Sequence, residues 1–130
     1  MPARKPEECD MHLMEALNNG DLEAAVALYE PNATFVAEPS GAPLVGHAAI
    51  REAIRGYFAL GRLQMTRETT ALKSGNGDLA MTGGRWKAIA TDAHGQSTIV
   101  LSGNSREVVR RQPDGTWLFV IDNPWGAGLE

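Results

Sequence analysis

The sequence predicts an α+β layer fold, on three observations. Up to Phe58 the apolar positions recur at helical spacing in short segments. Beyond that point the chain turns to strand-like stretches divided by turn-forming clusters: Gly75-Asn76-Gly77-Asp78, Asp92-Ala93-His94-Gly95 and Pro113-Asp114-Gly115. Helices first and antiparallel strands second are the pattern of a sheet with helices laid on one face. The length, 130 residues, is that of a single domain spanning 1–130. A chain of this size buries roughly two-thirds of its unfolded surface, enough for a core without metal or disulfide staples.

The elements follow in order. Pro6 suits a first helical turn, and Glu7 and Glu8 are favourable at the positive end of the helix dipole. Cys9, Leu13, Ala16 and Leu17 then share one face, and Asn18-Asn19-Gly20 is a stop. Asp21 caps a second helix whose apolar residues are Leu22, Ala25, Val26 and Tyr29, ended by Pro31. Residues 33–37 read as a short strand, broken by the Pro39-to-Pro43 turn. A third helix runs from about His47, read as its polar cap, to Phe58, with Ile50, Ile54, Tyr57 and Phe58 on its apolar side. Strands are expected at about 63–73, 79–91, 97–111 and 116–122, the register of the 97–111 strand being open. In the last strand Trp117, Phe119 and Ile121 alternate against Leu118 and Val120, so both of its faces are apolar. Helices cover only one face of a sheet, which predicts a homodimer packed through the other.

Composition excludes whole classes. Hydrophobic residues make up 43% and charged residues 22%, which is neither a disordered chain nor a collagen-like repeat. The net charge of −4 offers no electrostatic footprint for nucleic acid or an anionic membrane surface. The N-terminal stretch lacks an apolar signal core, and the longest apolar run, Ala24 to Tyr29, is too short to span a bilayer. The expectation is a cytoplasmic protein, in which the lone Cys9 forms no internal disulfide and the Asn32-Ala33-Thr34 sequon is idle.

Several segments carry a family resemblance. Ala16-Leu17-Asn18-Asn19-Gly20-Asp21-Leu22, Val26-Ala27-Leu28-Tyr29, Asn32-Ala33-Thr34-Phe35 and Gly46-His47-Ala48-Ala49-Ile50-Arg51-Glu52 resemble the opening of ketosteroid isomerase-like proteins. These form the SnoaL-like branch of the nuclear transport factor 2-like superfamily. Residues 108–117 and 121–126 resemble a functionally unassigned bacterial subgroup. The resemblance implies a cone: a curved antiparallel sheet wrapped on three N-terminal helices (the cystatin-like fold), commonly dimeric, with a pocket in its mouth. That fold hosts isomerases, dehydratases, cyclases and members without catalysis, so function must be read from the pocket.

Glu38 matches, within a residue, the carboxylate base of ketosteroid isomerases; at the rim of an apolar pocket its proton affinity would rise to suit proton transfer near neutrality. A solvated glutamate leading into a turn is the plain alternative. The tyrosine of the isomerase oxyanion hole would come from the first helix, where this chain has Leu13. Ser102, Asn104 or Glu107 would stand where its acid lies, and Asn104 is the candidate donor to a developing enolate. Related cyclases use acids deep in the cone, which makes Asp122 a second acid; alternatively Asp122-Asn123-Pro124 is an Asx-type turn. Trp86 and Tyr57 are expected in the core or pocket lining. Arg85 and Arg106 are the candidates to meet a ligand carboxylate, or else pair across strands with Glu68 and Glu107.

Three motifs carry no chemistry. Gly75-Asn76-Gly77-Asp78-Leu79-Ala80 fits a dinucleotide fingerprint literally but lies between two strands with no following helix. Glu8, Cys9, His12 and Glu15 imitate a metal set at helical spacing without a second ligand group, so no metal is expected. Cys9 lacks an activating His and Asn. The functional expectation is a pocket for a small hydrophobic, carbonyl-bearing molecule. It would be worked on by proton transfer without a cofactor, or merely held in a dimeric binding domain.

Overall fold

A computed structural model describes residues 2–126 of the chain. Three helices, α1 (Pro6–Asn18), α2 (Leu22–Val26) and α3 (His47–Phe58), lie against a sheet of seven strands. The strands are β1 (Tyr29–Phe35), β2 (Leu44–Val45), β3 (Leu63–Arg67), β4 (Thr70–Lys73), β5 (Leu79–Thr91), β6 (Ser97–Arg111) and β7 (Trp117–Asn123). Their order is β2-β1-β7-β6-β5-β3, with β4 also on β5.

The local chemistry is mostly the expected one. Pro6 sits in the first turn of α1, and Asp21 caps α2 by accepting the Ala24 amide at 3.1 Å. Cys9, Leu13 and Ala16 bury the inner face of α1. The Cys9 thiol donates to the Trp117 carbonyl at 3.4 Å, and burial pushes its pKa well up, so it is inert. The Ser74–Leu79 segment closes the β4–β5 hairpin through backbone bonds, as its Asn and Gly content dictates.

Four local readings change. The first strand begins at Tyr29 rather than residue 33, because it runs parallel to β7 and Tyr29 pairs with Phe119; the sheet is therefore mixed. The expected 63–73 strand is two, β3 and β4, which pair successive stretches of β5. Gly84 occupies the break: a Cβ there would lie 2.0 Å from the Glu68 carbonyl oxygen, so only glycine fits. His47 does not cap α3. Gly46 holds that position at φ +95°, and the imidazole Nε2 instead meets the Tyr29 carbonyl at 2.7 Å.

The fourth change sets up the site. Val109 pairs with Phe119 but Val108 with Ile121, so β7 carries one extra residue, a β-bulge at Val120. The bulge reverses the alternation. Ile121 turns outward and 43% exposed, while Asp122 joins Trp117 and Phe119 on the helix-facing side. Pairing then sorts β5, β6 and β7 into rows. Ala80, Val109 and Phe119 form a buried inner row, and Thr82, Glu107 and Asp122 form the next; the intervening outward row is Met81, Val108 and Ile121.

Candidate functional site

Between the helices and the inner sheet face lies a cavity of about 60 Å³. Its upper walls are apolar, with Leu13, Phe35, Tyr57, Phe58, Leu63 and Trp86 among them. Its floor is polar and comprises Tyr29, Arg67, Ser105, Glu107 and Asp122.

Each floor residue has a structural reason to be there. Asp122 is placed by the bulge, and its Oδ2 accepts the Tyr29 hydroxyl at 2.5 Å. Tyr29 is fixed in turn by ring contacts with Phe119 (4.9 Å between centroids) and Phe35 (6.0 Å). Glu107 stands opposite Asp122 on the neighbouring strand and accepts the Thr82 hydroxyl at 2.9 Å. Arg67 alternates with Leu63 and Met65 onto the inner face of β3, where its Nη2 donates to Ser105 Oγ at 2.9 Å. The same Nη2 stands 3.1 Å from Asp10 Oδ2 of α1 and 3.8 Å from Glu107 Oε1.

Burial governs the charges. Desolvation raises the Asp122 carboxyl from the usual carboxylate range to about 7 and the neighbouring Glu107 adds to the rise, while the Tyr29 hydrogen bond and Arg67 hold it down. Asp10 is pushed further, to about 9, first by desolvation and then by Glu107. Burial and the Asp122 carboxylate drive the Tyr29 hydroxyl well above its ordinary pKa, so it remains a donor.

The expected site residues separate into two groups. Asp122, Tyr57 and Trp86 border the cavity. Trp86 donates its Nε1 to the Pro124 carbonyl at 2.7 Å and meets Trp125 edge-on at 5.3 Å. Tyr57 donates to the Ala37 carbonyl at 2.7 Å. The Asx turn is present as well, but Asn123 forms it, its Oδ1 accepting the amides of Trp125 and Gly126. Arg85 and Asn104 pair on the outward row of β5 and β6, and Arg106 is outward beside them, so none of the three faces the cavity. Arg85 stands 3.9 Å from Glu68, in solvent. Glu38 is exposed in the turn after β1, folded over Gly41, and does not border the cavity.

Asp10 and Arg67 escaped the sequence reading although both carried a signal. Asp10 precedes Leu13 and Leu17 by three and seven residues, the spacing of the buried helix face. Arg67 shares strand parity with Leu63 and Met65. Tyr29 was assigned to a helix, and Glu107 was one of three options in an open register.

The family model described as a SnoaL-like domain matches residues 12–122. A search of curated proteins gave no match. Among solved structures, an NTF2-like protein with a cystatin-like fold from Novosphingobium aromaticivorans is 21% identical with a TM-score of 0.76, covering 90% of this chain and 76% of its own. A Catenulispora acidiphila protein solved in complex with S-DNPA is 21% identical at TM-score 0.72, covering 88% and 85%. A Nostoc punctiforme protein of unknown function with a cystatin-like fold is 14% identical at TM-score 0.74, covering 95% and 91%. At these identities the likeness establishes the fold alone.

Proposed function

We propose that this chain, which belongs to the SnoaL-like domain family, binds a small hydrophobic, carbonyl-bearing molecule in its cavity and moves a proton on it through Asp122. One observation carries the reading: a wholly buried carboxyl, placed by a β-bulge on the floor of an apolar cavity and tuned to about 7. At that value both protonation states are populated near neutral pH, so the same group can give a proton to a carbonyl oxygen or take one from the adjacent carbon. The tyrosine hydroxyl on Oδ2 orients the carboxyl and leaves Oδ1 for the ligand. Asp122 rather than Glu38 is the proposed acid–base group, since Glu38 stands in solvent outside the cavity.

The cavity has room for a few water molecules as it stands. A ligand enters by turning the half-buried wall side chains Tyr57, Phe58 and Leu63. Isomerase, dehydratase and cyclase chemistry all use such a proton shift. The outward apolar row of Met81, Val108 and Ile121 supports the further proposal of a homodimer packed through the sheet. A light-scattering mass of one chain would refute that.

The test is hydrogen exchange. Wild type and Asp122→Asn are incubated in D₂O with a panel of hydrophobic cyclic ketones, and loss of the α-protons is followed by NMR. The reading expects at least one ketone to exchange tenfold or more faster with wild type than with the variant. A ketone that quenches tryptophan fluorescence yet exchanges equally with both proteins overturns the catalytic half and leaves a binding domain.

A further inference from the structure

Asp10 lies behind the cavity floor, 1% exposed, and the proton-transfer reading makes no use of it. Neither of its oxygens has a hydrogen-bond donor, although Oδ2 touches Arg67 as an ion-pair contact at 3.1 Å. Glu107 Oε2 is buried and likewise lacks a donor. Two buried carboxyl groups, Asp10 and Glu107, thus flank one guanidinium, with the buried Asp122 opposite Glu107 on the next strand. If all were ionised, the set would carry two uncompensated negative charges away from water, and the Asp10 oxygens and Glu107 Oε2 would be buried without a donor. That arrangement is too costly to persist. One proton placed between Asp10 and Glu107 halves the uncompensated charge and mends the missing donor. It supplies the missing donor to both orphaned groups and lowers the charge beside Arg67.

We propose that Asp10 holds a proton at neutral pH and donates it to Glu107, forming with Arg67 a neutral unit that positions the Glu107 carboxyl against Asp122. Asp10 is then a positioning residue: it touches no ligand, yet it fixes the neighbour that helps set the proton affinity of Asp122. Asp10 Oδ2 and Glu107 Oε1 meet the same Arg67 nitrogen, at 3.1 and 3.8 Å, and Glu107 is a principal cause, after burial, of the raised Asp122 value. The charged and titratable groups facing Asp10 are Arg67 from β3, Glu107 from β6 and Asp122 from β7, with Cys9 beside it on α1. Only Arg67 among them is a cation.

The pH consequence has a definite sign. A carboxyl raised to about 9 holds its proton in the folded state while the unfolded chain has released it above about 4. Between those limits the folded state binds one more proton. This contribution is complete below about 4 and is lost as pH rises toward 9, by tenfold in the folding equilibrium per pH unit.

This inference rests on Asp122 as the proton-transfer group, but its test needs no turnover. Urea unfolding of the full chain from pH 5 to 8 is compared for wild type, Asp10→Asn and Asp10→Leu, and the Asp122 carboxyl is titrated by carbon-13 NMR. Asparagine is neutral and keeps a donor toward Glu107. Asp10→Asn is therefore expected to fold, to flatten the pH slope by about one proton, and to leave the Asp122 midpoint in place. Asp10→Leu lacks the donor and is expected to move that midpoint. Should the leucine variant not fold, the asparagine comparison decides alone. An unchanged pH slope in Asp10→Asn, or a fall in its Asp122 midpoint, shows that Asp10 was ionised and overturns the proposal. Failure of the ketone exchange with these titrations intact would instead strike at the role of Asp122.

Discussion

Tyr29→Phe isolates the tyrosine hydrogen bond on the Asp122 carboxyl. The substitution deletes a hydroxyl and keeps a ring that is 1% exposed and packed on Phe119 and Phe35. Among the described residues the tyrosine hydroxyl donates to Asp122 Oδ2, at 2.5 Å. A hydrogen bond to a buried charged group contributes about 1.5–3 kcal/mol, and the bond favours the ionised carboxylate. At about 1.4 kcal/mol per pH unit, its loss raises the Asp122 midpoint by one to two units, from about 7 to about 8–9. The assay is carbon-13 NMR of aspartate-labelled protein, with the Asp122 resonance identified by its absence in Asp122→Asn. A midpoint that stays put or falls refutes the reasoning, because the tyrosine would then not be stabilising the ionised form.

Three further outcomes follow. Arg67→Met removes the cation that holds the Asp122 carboxyl down, so the same titration should show its midpoint above 7. Leaving the buried Glu107 carboxylate without its cation should also cost about 3–5 kcal/mol in urea unfolding. Phe119→Ala empties a wholly buried ring site under Tyr29, and a loss of about 3–5 kcal/mol is expected by the same measurement. Gly84→Ala drives a methyl to 2.0 Å from the Glu68 carbonyl, forcing β3–β4 off β5. A loss of about 1–3 kcal/mol, read as a fall of about 4 °C per kcal/mol in melting temperature, is the expected result.

The α+β layering was legible because periodicity and turn chemistry are local: α1, α3 and the hairpin turns stand close to where the residues put them. What was not legible depends on pairing. Tyr29 belongs to a strand only because β7 lies parallel beside it. The β-bulge at Val120 has no residue signature, yet it decides whether Asp122 faces solvent or cavity. Asn104 and Arg85 were placed as candidates by residue type in an open register, and the pairing of β5 with β6 sets them both outward. Glu38 was carried by resemblance to a neighbouring position, and here the turn over Gly41 leaves it exposed. Asp10 and Arg67 had the right spacing for burial, but a charged residue on an apolar face reads as an exception until its partner is seen.

The wild-type titration of Asp122 bears most directly on the central claim that this buried carboxyl is poised to exchange a proton with a ligand. Followed by carbon-13 NMR, the group should titrate near 7 and shift when a hydrophobic ketone occupies the cavity. A midpoint near 4, the value of a solvated aspartate, with no response to any ketone, would contradict it.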